Sequence, residues 1–445
     1  MESVAFSMCL VPMPISLVQS LTNYRRRISK FVIPSKLLHL RVALGLPIWT
    51  PNIVLLKIAG QEILFEKIKR LAIQFFIKQV ANGVHSPLFR QSSNPCIQLN
   101  KKDQEACAGL FADLNITFDQ IITLPNILDV PHNDICEIHL TSFGFQDKAQ
   151  PTALIKALFE ETISEEFQDY FIIATDASKS QFYTSLAGTS NLRSFSFRIH
   201  PINSIFTTEA LAICQAIDDL SVPDSNLLIL TDSFSVLQAL KNLSIKSPKV
   251  ILRLAHKILM RAKLNQKIAL VWTPGHSSIA WNERADSLAK NVTESDYIEW
   301  IAVEDICSYY SKFSIQKPTE NFRNSKYLEI LGELPSILST ALWLKNRRED
   351  IIITRILTRM IITPALLHRF GLHNNPFCSV CNQENTIEHI LLTCKKYLPH
   401  RWIFCLKLNL SLQIFSSYKV FLFTICSSKH HLQVFLQMLK LFYIY

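Results

Sequence analysis

The 445-residue chain lacks a disulfide framework: its 11 cysteines are scattered, and only Cys378, Cys381 and Cys394 cluster. Small secreted domains depend on such frameworks, so free thiols in a reducing compartment are expected, which places the protein inside the cell, in cytoplasm or nucleus. Long unbroken apolar runs are also missing. The stretch 408–425 is interrupted by Asn409, Gln413, Ser416, Ser417 and Lys419, which argues against a membrane span. At the other end, Glu2 precedes an apolar run and Arg25-Arg26-Arg27 follows it, the wrong order for a secretory signal. No internal repeat is present. Acidic residues are the minority, 36 against 46 Lys and Arg, and the net charge of +10 favours a polyanionic partner, nucleic acid ahead of an acidic membrane surface.

What is present divides the chain by texture. This length suggests two or three compact units. Residues 1–95 read as helical, with an apolar pattern running from Ile53-Val54-Leu55-Leu56 through Ile63, Leu64, Ile68, Leu71 and Phe75, and Pro51 suits its start. Residues 96–164 lose periodicity and gather Pro95, Asn126, Pro131 and Asn133 along or beside them, the texture of a linker. Residues 165–295 alternate short β-rich runs with helical patterns. Strands are expected at 171–174, 182–187, 195–199, 227–230 and 268–272, and helices at 207–220, 233–243, 249–263 and 282–291. That order predicts an α/β fold, a mixed five-stranded sheet flanked by helices, with helical segments on either side. Residues 296–370 read as a basic helical connector, 371–400 as a Cys/His segment and 401–445 as an apolar helical tail.

In this layout Asp176 ends the first strand and Asp232 the fourth, while Glu209 and Asp286 fall in the first turns of helices. Each alone is an ordinary helix-capping or dipole-facing acid. Together they can converge at one sheet edge, where like charges repel and raise each other's pKa unless cations occupy the site. Hard oxygen ligands with open positions suit magnesium. Two such ions about 4 Å apart can hold the attacking water and the leaving oxygen of an in-line phosphodiester displacement.

The order Asp, Glu, Asp, Asp on these elements resembles the type 1 ribonuclease H family. The likeness is carried by Thr175-Asp176-Ala177-Ser178, Thr208-Glu209-Ala210-Leu211, Thr231-Asp232-Ser233, and Trp272-Thr273-Pro274-Gly275-His276 through Asn282-Glu283-Arg284-Ala285-Asp286. The resemblance implies a ribonuclease H-like fold and cutting of the RNA strand of an RNA–DNA hybrid with two Mg2+ ions. By the same resemblance, Asp176 and Asp232 share the water-activating metal, Glu209 and Asp286 help hold the second, and His276 assists proton transfer or product release. Ser178, Glu209 and Asn282 match positions that touch the hybrid, where a 2′-OH contact separates RNA from DNA. One departure stands out: Ala177 replaces a common glycine and Ser178-Lys179-Ser180-Gln181 lacks glycine, which predicts a tighter or differently shaped first hairpin. An exonuclease of the same fold would want Asp-x-Glu on the first strand, and this chain has Asp176-Ala177-Ser178. A non-catalytic nucleic-acid-binding remnant is the alternative.

Lys249, Arg253, Lys257 and Arg261 recur every four residues opposite the apolar Val250, Ile251, Leu254 and Ile258. This stripe reads either as a solvated helix face or as a phosphate-tracking ridge that adds salt-dependent affinity.

The flanks carry a second resemblance. His39-Leu40-Arg41-Val42-Ala43-Leu44-Gly45, Trp49-Thr50-Pro51 and Leu55-Leu56-Lys57-Ile58-Ala59-Gly60 look like the region downstream of the polymerase in non-LTR (LINE-like) retrotransposon polyproteins. No paired-aspartate polymerase motif accompanies them, and Phe111-Ala112-Asp113-Leu114 has only one aspartate. The resemblance implies a carboxy-terminal fragment that does not polymerise DNA. Farther on, Cys378, Cys381, His389 and Cys394 offer three thiols and an imidazole, a complete tetrahedral zinc set, or else reduced cysteines in a small core. Phe377-Cys378-Ser379-Val380-Cys381 and Thr386-Ile387-Glu388-His389-Ile390-Leu391-Leu392 are similar to the terminal Cys/His knuckle of the same polyproteins, which implies a structural Zn2+ that helps grip nucleic acid, with Lys395, Lys396 and Arg401 nearby.

Overall fold

A computed structural model describes residues 33–82, 101–123, 136–140, 152–181, 183–292 and 297–442. The apolar amino-terminal run and Arg25-Arg26-Arg27 lie outside the described residues. The chain forms two compact units, one of residues 71–311 and one of residues 1–70 with 312–445.

In the 71–311 unit, alternation sets the architecture. The strand β2 (Tyr170–Lys179) sends Ile173 to one face and Ala174 to the other. β5 (Asn226–Thr231) and β6 (Ile268–Trp272) are nearly continuous apolar runs, as parallel strands buried on both faces must be. Ile173, Leu186, Ile229 and Leu270 pack with the helices Ile205–Asp219, Phe234–Lys241 and Lys249–Ala262. On the opposite face Ala174, Leu228, Leu230, Ala269 and Val271 pack with Ala285 of the helix Ala280–Lys290 and with Ile155 and Phe159 of the helix Thr152–Glu166. The interior strand β3 (Thr184–Ser190) is wholly buried and made of small residues, Leu186 excepted, so helices on both sides press close to it.

The sheet has seven strands among the described residues, in the order β1-β6-β5-β2-β3-β4-β7, rather than the five expected. β4 (Ser194–Ile199) is one of the five; the additions are β1 (Glu137–His139), parallel to β6, and β7 (Tyr297–Ile298), parallel to β4. Strands of three and two residues cannot display a period of two, so they leave no pattern to read. Residues 96–164 are likewise more than a linker. They contribute the helix Lys101–Leu114, β1 and the helix Thr152–Glu166, and Phe111 and Leu114 join Phe76, Ile306 and Tyr310 in a further core. Phe111-Ala112-Asp113-Leu114 therefore belongs to a helix.

The other unit is helical among its described residues. Leu55, Ile58, Phe322, Ile353, Phe404, Phe421 and Phe435 share one core. The expected connector, Cys/His segment and tail thus pack together, with Ile387, Ile390 and Leu391 of the Cys/His segment in the same core. The long amino-terminal pattern is two helices, Asn52–Ala59 and Leu64–Ala81. Gly60 separates them at φ 59°, its N–H bonding back to Leu56 and Lys57 carbonyls, a left-handed helix stop that suits glycine. No helix among the described residues is long and apolar enough to cross a membrane.

Candidate metal centres

Strand register builds the first site. β2 and β5 run parallel with Thr175 opposite Thr231, so Asp176 and Asp232, each one residue further on, emerge side by side. The Trp272 indole N–H donates to the Asp232 carbonyl at 3.1 Å and holds that turn. Glu209 enters from the helix Ile205–Asp219, whose start is fixed by the Ser204 hydroxyl accepting from the Thr207 N–H at 3.3 Å. Asp286 enters from the helix Ala280–Lys290, within hydrogen-bonding reach of Asp176.

Ligand oxygens of Asp176, Glu209 and Asp232 all lie within 4.8 Å of one another. Asp176 and Glu209 are 7% and 6% exposed, too buried for water to dissipate this charge. Burial, then the charges of Asp232 and Asp286, push Asp176 up to about 8 against the Ala177 N–H, which donates to it at 2.8 Å. Burial, then Asp176 and Asp232, hold Glu209 well above the usual carboxylate range. One Glu209 oxygen, Oε2, is buried with no hydrogen-bond partner. A buried, unpartnered carboxylate oxygen among close carboxylates is a donor set that fits a hard divalent cation. Glu209 sits with Asp176 and Asp232, whereas Asp286 groups with His276 and Glu283 and also reaches Asp176.

Ser178, His276 and Asn282 line the same cleft of about 300 Å³, with Lys179, Gly275, Glu283 and Lys290. His276 is exposed and left-handed at φ 56°, two residues before Ser278 at φ 60°. Two such residues in one loop store backbone strain of the kind that clusters at functional sites. Asn282 is buried and accepts from the Thr273 hydroxyl at 3.0 Å, so one amide atom is already committed within the protein. Glu283 was not singled out from sequence, yet its carboxylate, His276 and Asp286 place ligand atoms within 4.8 Å of one another. Its signal is the three-residue spacing from Asp286, which puts both on one helix face. Lys290, four residues past Asp286, pairs with it at 2.7 Å.

Ala177 does not distort the first hairpin. β2 and β3 pair without interruption from Ile173 opposite Ser190 to Lys179 opposite Thr184, with Ala177 opposite Leu186. Extended backbone there has no need of glycine.

The basic stripe is not part of this cleft. Arg253 stacks on Trp300 at 4.1 Å, Lys257 pairs with Asp218, and Arg261 donates to the Ile217 carbonyl at 2.8 Å. Lys249 is half-buried, and its backbone N–H donates to Glu304 at 3.1 Å. Three of the four cations thus serve the packing of their helix within its own unit.

The second site is local. The 378–381 turn is closed by the Asn382 N–H donating to the Cys378 carbonyl at 2.9 Å, with Asn382 left-handed at φ 55°. Ligand atoms of Cys378, Cys381, His389 and Cys394 all lie within 4.8 Å of one another. The sulfur separations of 3.7 and 3.9 Å from Cys394 to Cys378 and Cys381 match the edge of about 3.8 Å that Zn–S bonds of about 2.3 Å give a tetrahedron. His389 shares a hydrogen bond between Nδ1 and the Thr393 hydroxyl at 3.1 Å, while its buried Nε2 has no partner. An imidazole held by one nitrogen and open at the other is how a metal-ligating histidine is oriented. Arg401, expected near nucleic acid, is buried and donates to the Cys394 carbonyl at 2.7 Å, bracing the cluster.

A mixed sheet covered by helices on both faces, with carboxylates gathered beside β2 and at the end of β5, is the ribonuclease H-like fold. The family model described as RNase H matches residues 168–294, so the chain carries an RNase H domain over that span, under a third of its length. No curated protein matches the chain.

Proposed function

We propose that the chain is an endonuclease of type 1 ribonuclease H character that hydrolyses the RNA strand of RNA–DNA hybrids with magnesium. The observation that carries this reading is the group Asp176, Glu209 and Asp232, the first two buried, with the unpartnered Glu209 oxygen inside it. These three acids would hold one ion, and Asp176 with Asp286 the other. Bound magnesium supplies activation of water and stabilisation of the charge that grows on the phosphate. The chain's own residues do the rest. Asp176 bridges the two groups of acids, His276 stands on the exposed loop beside Asp286 where a proton can be passed to solvent, and Ser178 and Asn282 line the cleft where the hybrid's sugar edge would lie.

We also propose a structural zinc at Cys378, Cys381, His389 and Cys394, and an origin in a non-LTR retrotransposon polyprotein, supported by the motifs at 39–60 and 377–394. Incubating the purified chain with labelled hybrid, single-stranded RNA and duplex DNA, with and without magnesium, tests the activity. Cutting of the hybrid's RNA strand alone, and only with magnesium, is the expected result. Hybrid binding without cleavage would establish the non-catalytic remnant instead.

A further inference from the structure

Pro274-Gly275-His276 lies beside the acid cluster, on the loop between β6 and the helix Ala280–Lys290. A Cβ on Gly275 would stand 2.9 Å from Asp232 Oδ2, and its next neighbours, Asp232 Cβ and Cγ, are at 3.9 Å. The first distance is too short for a carbon–oxygen contact; the others are ordinary van der Waals contact. The backbone of Asp232 is tethered meanwhile by the Trp272 indole, and the Ser233 N–H donates to the Thr231 hydroxyl at 3.2 Å. An added methyl group can therefore be accommodated mainly by turning the Asp232 carboxylate, the terminal group of a short side chain, away from Gly275.

We propose that Gly275 is a positioning residue: the missing side chain at 275 is what lets the Asp232 carboxylate stand with Asp176 and Glu209 to receive a divalent cation. This rests on the metal reading of the cluster. Gly275 supplies no ligand itself and acts only through Asp232. Its φ is not in the left-handed range, so alanine meets no backbone penalty there, and space alone makes the demand. Glycine at this point thus has a different role from Gly60, where φ decides.

The test uses the full chain as wild type, Gly275→Ala, Asp232→Ala and the double variant, with Mn2+ as the probe, read by loss of the free-ion paramagnetic resonance signal, and with metal-free melting alongside. Gly275→Ala is expected to weaken Mn2+ binding by about 10- to 100-fold, the range seen when groups that orient a ligand are altered. Its metal-free melting temperature should stay at the wild-type value. In the Asp232→Ala background the Gly275→Ala change should alter neither binding nor melting, because the oxygen it displaces is gone. Wild-type Mn2+ affinity in Gly275→Ala would overturn the inference. So would a melting loss of equal size in both backgrounds, which would make Gly275 a general backbone requirement. No Mn2+ binding by the wild type would overturn the metal reading, and this inference with it.

Discussion

The acid cleft and the Cys/His cluster each bring together side chains that can hold a metal, and they do so by opposite routes. The cleft draws Asp176, Glu209, Asp232 and Asp286 from strand β2, the residue after β5 and two helices, across more than a hundred residues of sequence. Its geometry is set by strand register and by helices clamped on a buried sheet. The cluster draws its four ligands from 17 residues, 378 to 394, held by one tight turn and a short helix. Part of that segment reaches an apolar core through Ile387, Ile390 and Leu391, but Ser379, Val380 and Asn382 around the ligands are exposed. A preformed site spends metal-binding free energy on chemistry; a local one spends it on folding.

The sharpest way to test the cleft is Asp232→Asn. The sheet should survive, since Asp232 lies beyond the end of β5, and hybrid binding should be retained. Cleavage should fall by at least about 10²- to 10³-fold, the effect of removing one preorganised charge-handling group. Hybrid turnover assays against a binding titration read both quantities. Equal turnover in wild type and variant would remove Asp232 from the mechanism.

At the cluster, Cys381→Ser should lower zinc affinity by about a hundredfold or more, and expose the 378–394 segment to protease. Cleavage of short hybrids should be unchanged, because the cleft belongs to the other unit. Metal analysis with limited proteolysis decides the matter. No zinc in the wild type, with equal protease resistance in both proteins, would make these cysteines reduced core residues.

The same contrast explains what could be read in advance. The five principal strands and the helices between them were legible, because Ile172-Ile173-Ala174, Leu227-Leu228-Ile229-Leu230 and Ile268-Ala269-Leu270-Val271 are apolar over strand length. The four acids are legible from the motifs around them, although β2 runs on to Lys179, past the strand end expected at Asp176, and Asp286 lies in the second turn of a helix that starts at Ala280. The edge strands β1 and β7 were too short to show a period. The helix Thr152–Glu166 was obscured by its setting: Ile155, Leu158 and Phe159 have helical spacing but follow a stretch rich in Asn and Pro. The closeness of Glu283, Lys290 and Gly275 to an acid is not legible, because distance across a fold is not written in spacing. The shared core of the helical unit is hidden for a similar reason: Leu55 and Phe435 join one core across 379 intervening positions of chain.

A pH series without metal separates cleft from cluster more finely. In the unfolded chain Asp176 loses its proton near pH 3.8, while in the folded chain it keeps one to about 8. Between these values the folded state binds more protons, so its stability must fall as pH rises, by up to about 1.4 kcal/mol per pH unit for each proton retained. Because Asp176, Glu209 and Asp232 are coupled, that proton belongs to the group. Magnesium should remove the slope by replacing the proton. Chemical denaturation at pH 5, 6, 7 and 8, with and without magnesium, checks this, and a flat metal-free profile would mean that the acids are better solvated than their burial indicates.

The smallest effect is expected at the basic stripe, where a solvated helix face and a phosphate-tracking ridge predict different outcomes. If Arg253 and Lys257 tracked phosphates, replacing both by alanine would weaken hybrid binding and flatten its salt dependence, each lost phosphate contact reducing the slope by about one. Arg253 instead lies over the Trp300 ring at 4.1 Å and Lys257 pairs with Asp218, so both charges have partners within the protein. A partly buried cation–π contact contributes about 0.5–1 kcal/mol and an exposed ion pair about as much or less. Arg253→Ala should therefore cost about 1 kcal/mol of stability, and Lys257→Ala less, in denaturant melts. The salt slope of hybrid binding should match that of the wild type in both variants, because neither residue lines the acid cleft. A slope reduced by about one per substitution, with unchanged stability, would restore the stripe to the nucleic-acid surface and would require Arg253 to leave Trp300 when hybrid binds.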